Sequence, residues 1–454
     1  MPVYTYQDFD EASDRLEFVK QAVAQHKAGP DLKMALIADD YDRQRNRTVL
    51  EYVKTLYSMD GRKVEDFTAE PTRIPSNFFN RLNTQRVMYS LGNGVSFVQP
   101  DEAGESDEVK ERLGEGFDHR ITEAAYYACI HGVSFVFWNL DRIHLFKLTE
   151  FCPLYDRHTG KLRAGIRFWR LNPREPETLV LYTEGGYIEY REDEHGRLVA
   201  QSEDYLPYKT TYRYTPADDS AEIVGEENYG ALPIVPMWAS RLKQSTLVGM
   251  RAAIDAYDLI KSGFASDMQQ CAEIYWIIKN APGMNDADLM EFRDRLKLQH
   301  IAAVDGMDGA EAVPYTQEIP HSARQAFLQE IRNGIYEDFG ALDVHTVSAG
   351  ATNDHIDAAY QPMDENAADF EYWVAECITQ ILALLGIDDR PVFKRTRISN
   401  QREQVEMVVQ EAQWLDQATV LRKLPNITPD EANAILQGTQ AEDMARFGIG
   451  GEDG

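Results

Sequence analysis

The sequence predicts an α+β fold, with helices and strands grouped along the chain rather than alternating. Three observations carry this. Apolar residues recur at a spacing of three or four over two long stretches, 245–272 and 354–385. Between about 133 and 238 the chain instead runs in short Val-, Tyr-, Phe- and Trp-rich segments parted by Gly, Pro and Asp. Grouped strands followed by grouped helices mark α+β, whereas strict βαβ alternation would imply a parallel sheet.

Each element has its own warrant. Residues 8–57 are helical in pattern and highly charged, as in "ADDYDRQRNRTVLEYVKTLY". "PTRIPSNFFNRLNTQRVMYSLGNGVSFVQP" reads as a Pro-bounded start, a helix carrying Phe78, Phe79, Leu82, Val87 and Met88, and a Gly-Asn-Gly turn into a strand. The acidic "DEAGESDEVKERLGEG" is expected at the surface. Helix "ITEAAYYACIHG" feeds strands "VSFVFWNL", "AGIRFWRL", "TLVLYTEGGYIEYRED" and "TYRYTP", closed by "ALPIVPMW". After the helix over 245–272 comes a strand–helix–strand unit, in which an Asn/Asp cap opens "NDADLMEFRDRLK". A helix over 322–340 carries Phe327, Ile331, Ile335 and Phe339 at every fourth position, a stripe expected to be packed. Ile356, Tyr360, Met363, Phe370, Val374, Cys377, Ile378 and Ile381 then mark a helix of roughly seven turns. Pro362 lies within it and is expected to bend it. The tail from about 399 is helical and acidic, and its end "FGIGGEDG" is expected to be disordered.

Composition bounds the function. The chain has 454 residues, long enough for two or three domains. Its 46 basic and 75 acidic residues give a formal charge of −29, which repels polyanions on average and disfavours a sequence-reading DNA binder. No secretory signal is expected from "MPVYTYQDFDEASDRLEF", and no apolar run has the ~18 residues that a membrane span needs. Cys129, Cys152, Cys271 and Cys377 are scattered without a CxxC pair, which reads as reduced, packed thiols.

Catalytic patterns are scarce. There is no GxxxxGK[ST], HExxH, GxSxG or GxGxxG after a strand; "HTGKLRAG" lacks the phosphate-loop spacing and hydroxyl. "CIHG" sets Cys129 near His131, but a nucleophile and its base usually come from separate segments, and a buried helix end accounts for both. In "NDHID", Asp354, His355 and Asp357 are metal ligands by type, whereas capping by Asn353 or Asp354 explains them more simply. Trp138, Trp169, Tyr190 and Tyr212 could line a carbohydrate groove or face one another across strands. No enzyme activity, catalytic residue, metal or cofactor is expected.

Between the two strong helices lies "SAGATN", small and without a basic residue. No Lys or Arg occurs between Arg332 and Arg390, while Glu337, Asp338, Asp343, Asp354 and Asp357 lie in or beside the loop. A loop without cations cannot grip phosphates. Only His345 and His355 could become cationic there, on acidification.

The order of these elements carries a resemblance. "TRIPSNFFNRLNTQRVMYSLGNGVSF" (72–97), "TEFCPLYDRHTGKLRAGIRFWR" (149–170), "IDAYDLIKSGFASDMQQCAEIYWIIKN", "ARQAFLQEIRNGIYEDFGALDVHTVSAGATNDHIDAAYQPMDENAADFE" and "DQATVLRKLPNITPDEANAIL" span most of the chain. Together they resemble the portal (head-to-tail connector) proteins of tailed double-stranded DNA bacteriophages, of the type of long-tailed phages of Gram-positive bacteria. The resemblance implies a ring-forming portal fold with an α/β wing, a helical stem, a strand–helix–strand clip and a small helical crown. It places the wing in 1–240, the stem in 241–272 and 322–345, and the clip in 273–321. The channel loop falls on 346–355, the long wing helix on 356–394 and the crown on 395–454.

By the same resemblance Thr346, Val347, Ser348, Ala349, Gly350, Ala351, Thr352, Asn353, Asp354 and His355 face the DNA. Ile274, Trp276, Ile277 and Ile278 join clip to clip, and Phe327, Ile331, Ile335 and Phe339 pack the stem. It implies a homo-oligomeric ring, usually of twelve subunits, at one capsid vertex of the virion, assembled in the host cytoplasm. Its implied partners are viral double-stranded DNA, terminase, a head-tail adaptor, and major capsid and scaffolding proteins, with no membrane. An acidic α+β interaction scaffold without a DNA role, or an aromatic-grooved hydrolase, are the alternatives. A ring is distinguished from either by size.

Overall fold

The computed structural model describes residues 4–57, 61–65, 71–99, 107–172, 174–193, 195, 197–215, 220–271, 275–279, 285–299, 311–315, 321–343 and 353–396, with 408–410, 412, 414, 420 and 435 beyond. Helices α1 (Tyr6–Asp10), α2 (Arg15–Ala28), α3 (Pro30–Asp42) and α4 (Arg47–Leu50) precede a hairpin of β1 (Thr55–Tyr57) and β2 (Lys63–Glu65). Next come α5 (Phe78–Leu91), β3 (Val95–Val98), α6 (Asp107–Leu113) and α7 (Phe117–His131). The strand block comprises β4 (Val133–Asn139), β5 (Arg142–Lys147), β6 (Phe151–Tyr155), β7 (Leu162–Trp169), β8 (Thr178–Thr183), β9 (Gly186–Glu192), β10 (Leu198–Ala200), β11 (Lys209–Thr215), β12 (Ser220–Glu227) and β13 (Ile234–Trp238). The remainder is α8 (Leu247–Cys271), β14 (Tyr275–Lys279), α9 (Asp286–Gln299), β15 (Glu311–Tyr315), α10 (His321–Phe339), α11 (Asn353–Leu384) and β16 (Arg390–Phe393). The mixture is α+β, as the sequence predicts.

The chain divides into two compact units, one of residues 1–38, 81–246 and 336–454, the other of 39–80 and 247–335. In the first unit, alternation along the strands sorts side chains into layers. Strands β6 to β10 form an antiparallel meander, and β4 pairs between β13 and β5. On β8, Leu179 and Leu181 face a core shared with Phe9, Phe18, Val19 and Val23 of α1 and α2, while Val180 and Tyr182 face the opposite core. That second core also holds Phe135 and Phe137 of β4, so it lies between the two sheets. Val136 and Trp138, the alternate residues of β4, face a third core with α7 and the far part of α11. The unit is therefore four layers deep: helices, sheet, sheet, helices. Gly165 of β7 is required by this packing, because a Cβ there would come within 2.0 Å of the Phe151 ring.

In the second unit, side chains of α8 bind an extended backbone segment. Along α8, Asp258, Ser262 and Ser266 accept the backbone N–H groups of Ser76 (2.9 Å), Ile74 (3.0 Å) and Thr72 (3.0 Å). Four helical residues rise about 6 Å and two extended residues about 6.6 Å, so the two ladders keep step. Tyr41 and Thr48 both donate to Asp255, and Asn46 to Asp258. Asp258 is fully buried, and that burial raises its carboxyl pKa. Arg324 of α10 pairs with Asp267 of α8, and His321 meets Phe264 edge-on at 5.0 Å. In the strand–helix–strand unit, β14 and β15 are antiparallel and pair Ile277 with Val313.

Three expectations need correcting. The acidic stretch before α7 is not all surface: it contains α6, whose Val109 and Leu113 are buried, spaced four apart on one face. On α5, Met88 is exposed and Tyr89 is buried instead. The four aromatics proposed for a groove do not meet. Trp138 lies in the core under α7, Tyr190 in that under α2 and Trp169 against the inter-sheet core, while Tyr212 is exposed. Nor do they face one another across strands, since their partners are Ile143, Leu179, Thr178 and Ile223. The aromatic-grooved hydrolase loses its only support.

Candidate functional site

The site is the footing of the loop between α10 and α11. Helix α10 stops because Gly340 adopts φ +66° and turns the chain. The N–H of Ala341 reaches Tyr336 O at 2.9 Å and that of Gly340 reaches Glu337 O at 3.0 Å, the paired bonds of a Schellman cap. A Cβ on Gly340 would approach Pro362 O at 3.2 Å, so the glycine also permits close passage of α11.

Side chains from α5 and α11 then capture the carbonyls beyond the cap. Asn366 Nδ2 donates to Phe339 O at 2.6 Å, and Gln85 Nε2 to Leu342 O at 2.9 Å. Leu342, on the way into the loop, and Ile356, on the way out, share one apolar cluster with Tyr89, Tyr360, Met363 and Ala367. The two ends of the loop are thus held on one floor. Gln85, Arg86 and Tyr89 of α5, residues 339–341 and Met363, Asn366 and Ala367 of α11 enclose a small cavity there. Arg86, 7% exposed, donates to Ala239 O at 3.1 Å and lies over the Phe370 ring at 5.1 Å. Its charge shares that cavity with the carbonyl end of α10, where a cation is favoured.

The sequence-predicted residues are distributed as follows. Residues 344–352, including His345 and Thr346 to Thr352, lie outside the described residues, as does Ile274. Asn353 is the first residue of α11, and Asp354 and His355 stand exposed in its first turn. Among the described residues no group of His, Cys, Asp or Glu could hold a metal. Trp276, Ile277 and Ile278 occupy β14, opposite Pro314, Val313 and Ala312. The stripe on α10 is not uniformly packed: Ile335 and Phe339 are buried, Ile331 is half-buried and Phe327 is 49% exposed, so contacts within one chain cover only the C-terminal half of the stripe. Every apolar position read on α11 is buried, and the helix runs unbroken past Pro362. Cys129 and His131 are both buried at the end of α7, and burial pushes the Cys129 thiol up to about 11, which leaves it inert.

Gln85, Arg86, Tyr89 and Asn366 were not foreseen as site residues. Polar side chains in the middle of helices that otherwise bury apolar faces are the one signal that could have marked them.

Comparison with known proteins places the chain. The family model described as "Phage portal protein, SPP1 Gp6-like" matches residues 36–445. The chain is 22% identical over 384 residues to the portal protein of Clostridium phage phiCD119, covering 78% of this chain and 81% of that protein. It is likewise 22% identical over 429 residues to the portal protein of Bacillus phage SPP1, covering 86% and 79%.

Proposed function

The chain belongs to the SPP1 Gp6-like family of phage portal proteins, and from that premise we propose how its parts serve a DNA channel. It is a structural protein of the virion rather than an enzyme, and it acts as a ring oligomer. In our reading twelve copies form the ring at one capsid vertex. Viral double-stranded DNA enters and leaves through its centre, terminase and a head-tail adaptor dock on it, and major capsid and scaffolding proteins surround it. Residues 1–240 with the long helix 356–394 serve as wing, 241–272 and 322–345 as stem, 273–321 as clip, 346–355 as channel loop and 395–454 as crown. Assembly takes place in the host cytoplasm.

The observation that carries this reading is the pinned footing of the loop. Its ends are fixed by Gln85, Asn366 and the Leu342–Ile356 floor, so what lies between them is presented from a rigid base. Between Arg332 and Arg390 there is no Lys or Arg, so the loop guides a duplex sterically instead of gripping phosphates. Acidic groups repeated around a ring would push the duplex toward the axis, within a screening length of about 8–10 Å. On the stem, the exposed Phe327 is available to a neighbouring copy.

Size is the decisive test. Twelve copies of a 51.7 kDa chain should run as a particle of about 620 kDa in mass photometry, with a central hole by negative-stain microscopy. A monomer or small oligomer at all concentrations would return the acidic-scaffold reading to first place.

A further inference from the structure

Tyr89 stands where three structural features meet. Its ring stacks on Tyr360 with centroids 5.6 Å apart and planes 19° apart, within the floor that holds both ends of the loop. Its hydroxyl donates to Asp364 Oδ1 at 2.6 Å. Its backbone carbonyl accepts the N–H of Thr396 at 2.9 Å. The third of these contacts belongs to the start of the C-terminal segment, and the second ends on a carboxylate of α11 that this segment also binds. Arg395 donates to the same Asp364 oxygen at 2.8 Å and forks onto Glu371 at 2.9 and 2.8 Å. Two turns of α11 separate those carboxylates, so one guanidinium clasps both.

The chain leading to this clasp is laid down firmly. Strand β16 pairs with β3, setting Phe393 opposite Val95, and Asn93 donates to Lys394 O at 2.9 Å. Residues 397–454 follow the clasp.

We propose that Tyr89 is a positioning residue through which the C-terminal segment, held at Arg395, sets the footing of the channel loop. The proposal rests on reading 346–355 as that loop. Asp364 is shared: when Arg395 is drawn away, the carboxylate that orients the Tyr89 hydroxyl loses a charge-assisted donor, and its orientation shifts. The Tyr89 ring, fixed at one edge by that hydroxyl, then loses its hold on Tyr360 and the floor beneath Leu342 and Ile356. The link is polar and charge-assisted, so it can open without exposing a core, unlike an apolar contact. A displacement of the C-terminal segment thereby reaches the footing at Leu342 and Ile356 across one shared carboxylate and one aromatic stack.

The test is hydrogen exchange on intact rings, followed by mass spectrometry of peptides covering 340–343 and 356–361. Tyr89→Phe keeps the stacked ring and removes only the hydroxyl; Arg395→Met removes the clasp. Both variants should exchange about tenfold faster at 356–361, as expected for loss of a bond to a charged group. Arg395→Lys should restore most of the protection. Faster exchange confined to 393–396, with 356–361 unchanged in both variants, would reduce the clasp to a local anchor and overturn the proposal. Exchange does not depend on DNA, so a loop that never meets DNA would fail packaging tests and leave this result standing.

Discussion

Asn366 donates its side-chain amide to the carbonyl of Phe339, 2.6 Å away, and so ties the second turn after Pro362 on α11 to the last residue of α10. The carbonyl is one that the helix cannot satisfy for itself.

Asn366→Ala removes that donor and leaves the carbonyl half-buried beside a small cavity. We expect a loss of about 1–2 kcal/mol in urea unfolding. An unchanged unfolding midpoint would mean that water replaces the amide at no cost.

The buried Asp258 gives a pH signature. Burial raises its pKa in the folded protein above the ordinary 3.8, so the folded state holds the proton more tightly than the unfolded chain does. The stability that this group contributes is present below pH 3.8 and is lost as pH rises through the raised folded value. Melting temperature against pH should show that decline in the parent protein and lack its Asp258 component in Asp258→Asn. Parallel curves for the two proteins would contradict the assignment.

The pair β14–β15 is a two-stranded sheet, and such a pair is marginal alone. Neighbouring copies are expected to add strands to it. Ile277→Asp should therefore block ring assembly, read by mass photometry, while far-UV circular dichroism stays that of a folded chain. Rings of normal mass from this variant would rule the idea out.

For the loop, Ser348→Lys or Thr352→Lys should impair DNA packaging and add salt-dependent affinity of the ring for duplex DNA, because each lysine introduces a phosphate contact. Alanine at either position should have little effect. Steep salt dependence in the unsubstituted ring, mapped to 346–355, would show that the loop already grips.

How much of this could be read beforehand varies with the kind of interaction. Helix α11 was legible because eight of its buried positions, from Ile356 to Ile381, keep helical spacing and bury one face. Helix α6 was not, since Val109 and Leu113 supply only two apolar positions inside an acidic run. Strand β16 escaped notice because four residues with a proline carry no period, and its pairing with β3 is decided by distant chain. Composition raised the expectation of a loop, most of which lies outside the described residues, but gave no sign of its footing. Gln85, Asn366 and Arg395 act on carbonyls and carboxylates brought near by the fold, and nothing local to each residue names its partner. Phe327 shows the reverse error: periodicity identifies an apolar stripe but not which molecule covers it.

Strand β4 is apolar on both faces except at Ser134, and this changes what fixes its alignment. In a half-wet strand a slip of one residue is punished by polarity, because charged groups enter the core. On β4 a slip would exchange one apolar set for another, Val136 and Trp138 for Phe135 and Phe137. Besides the buried Ser134 hydroxyl, which donates to Ala124 O at 2.7 Å, it is volume that opposes the slip: Trp138 would have to find room among the Phe146 and Phe151 rings, and the phenyl groups would have to fill the space under α7. The centre of the first unit is therefore keyed largely by shape, like a lock whose pins differ in length and not in material. Substitutions that equalise the sizes of these four side chains should blur its register before they weaken its hydrophobicity.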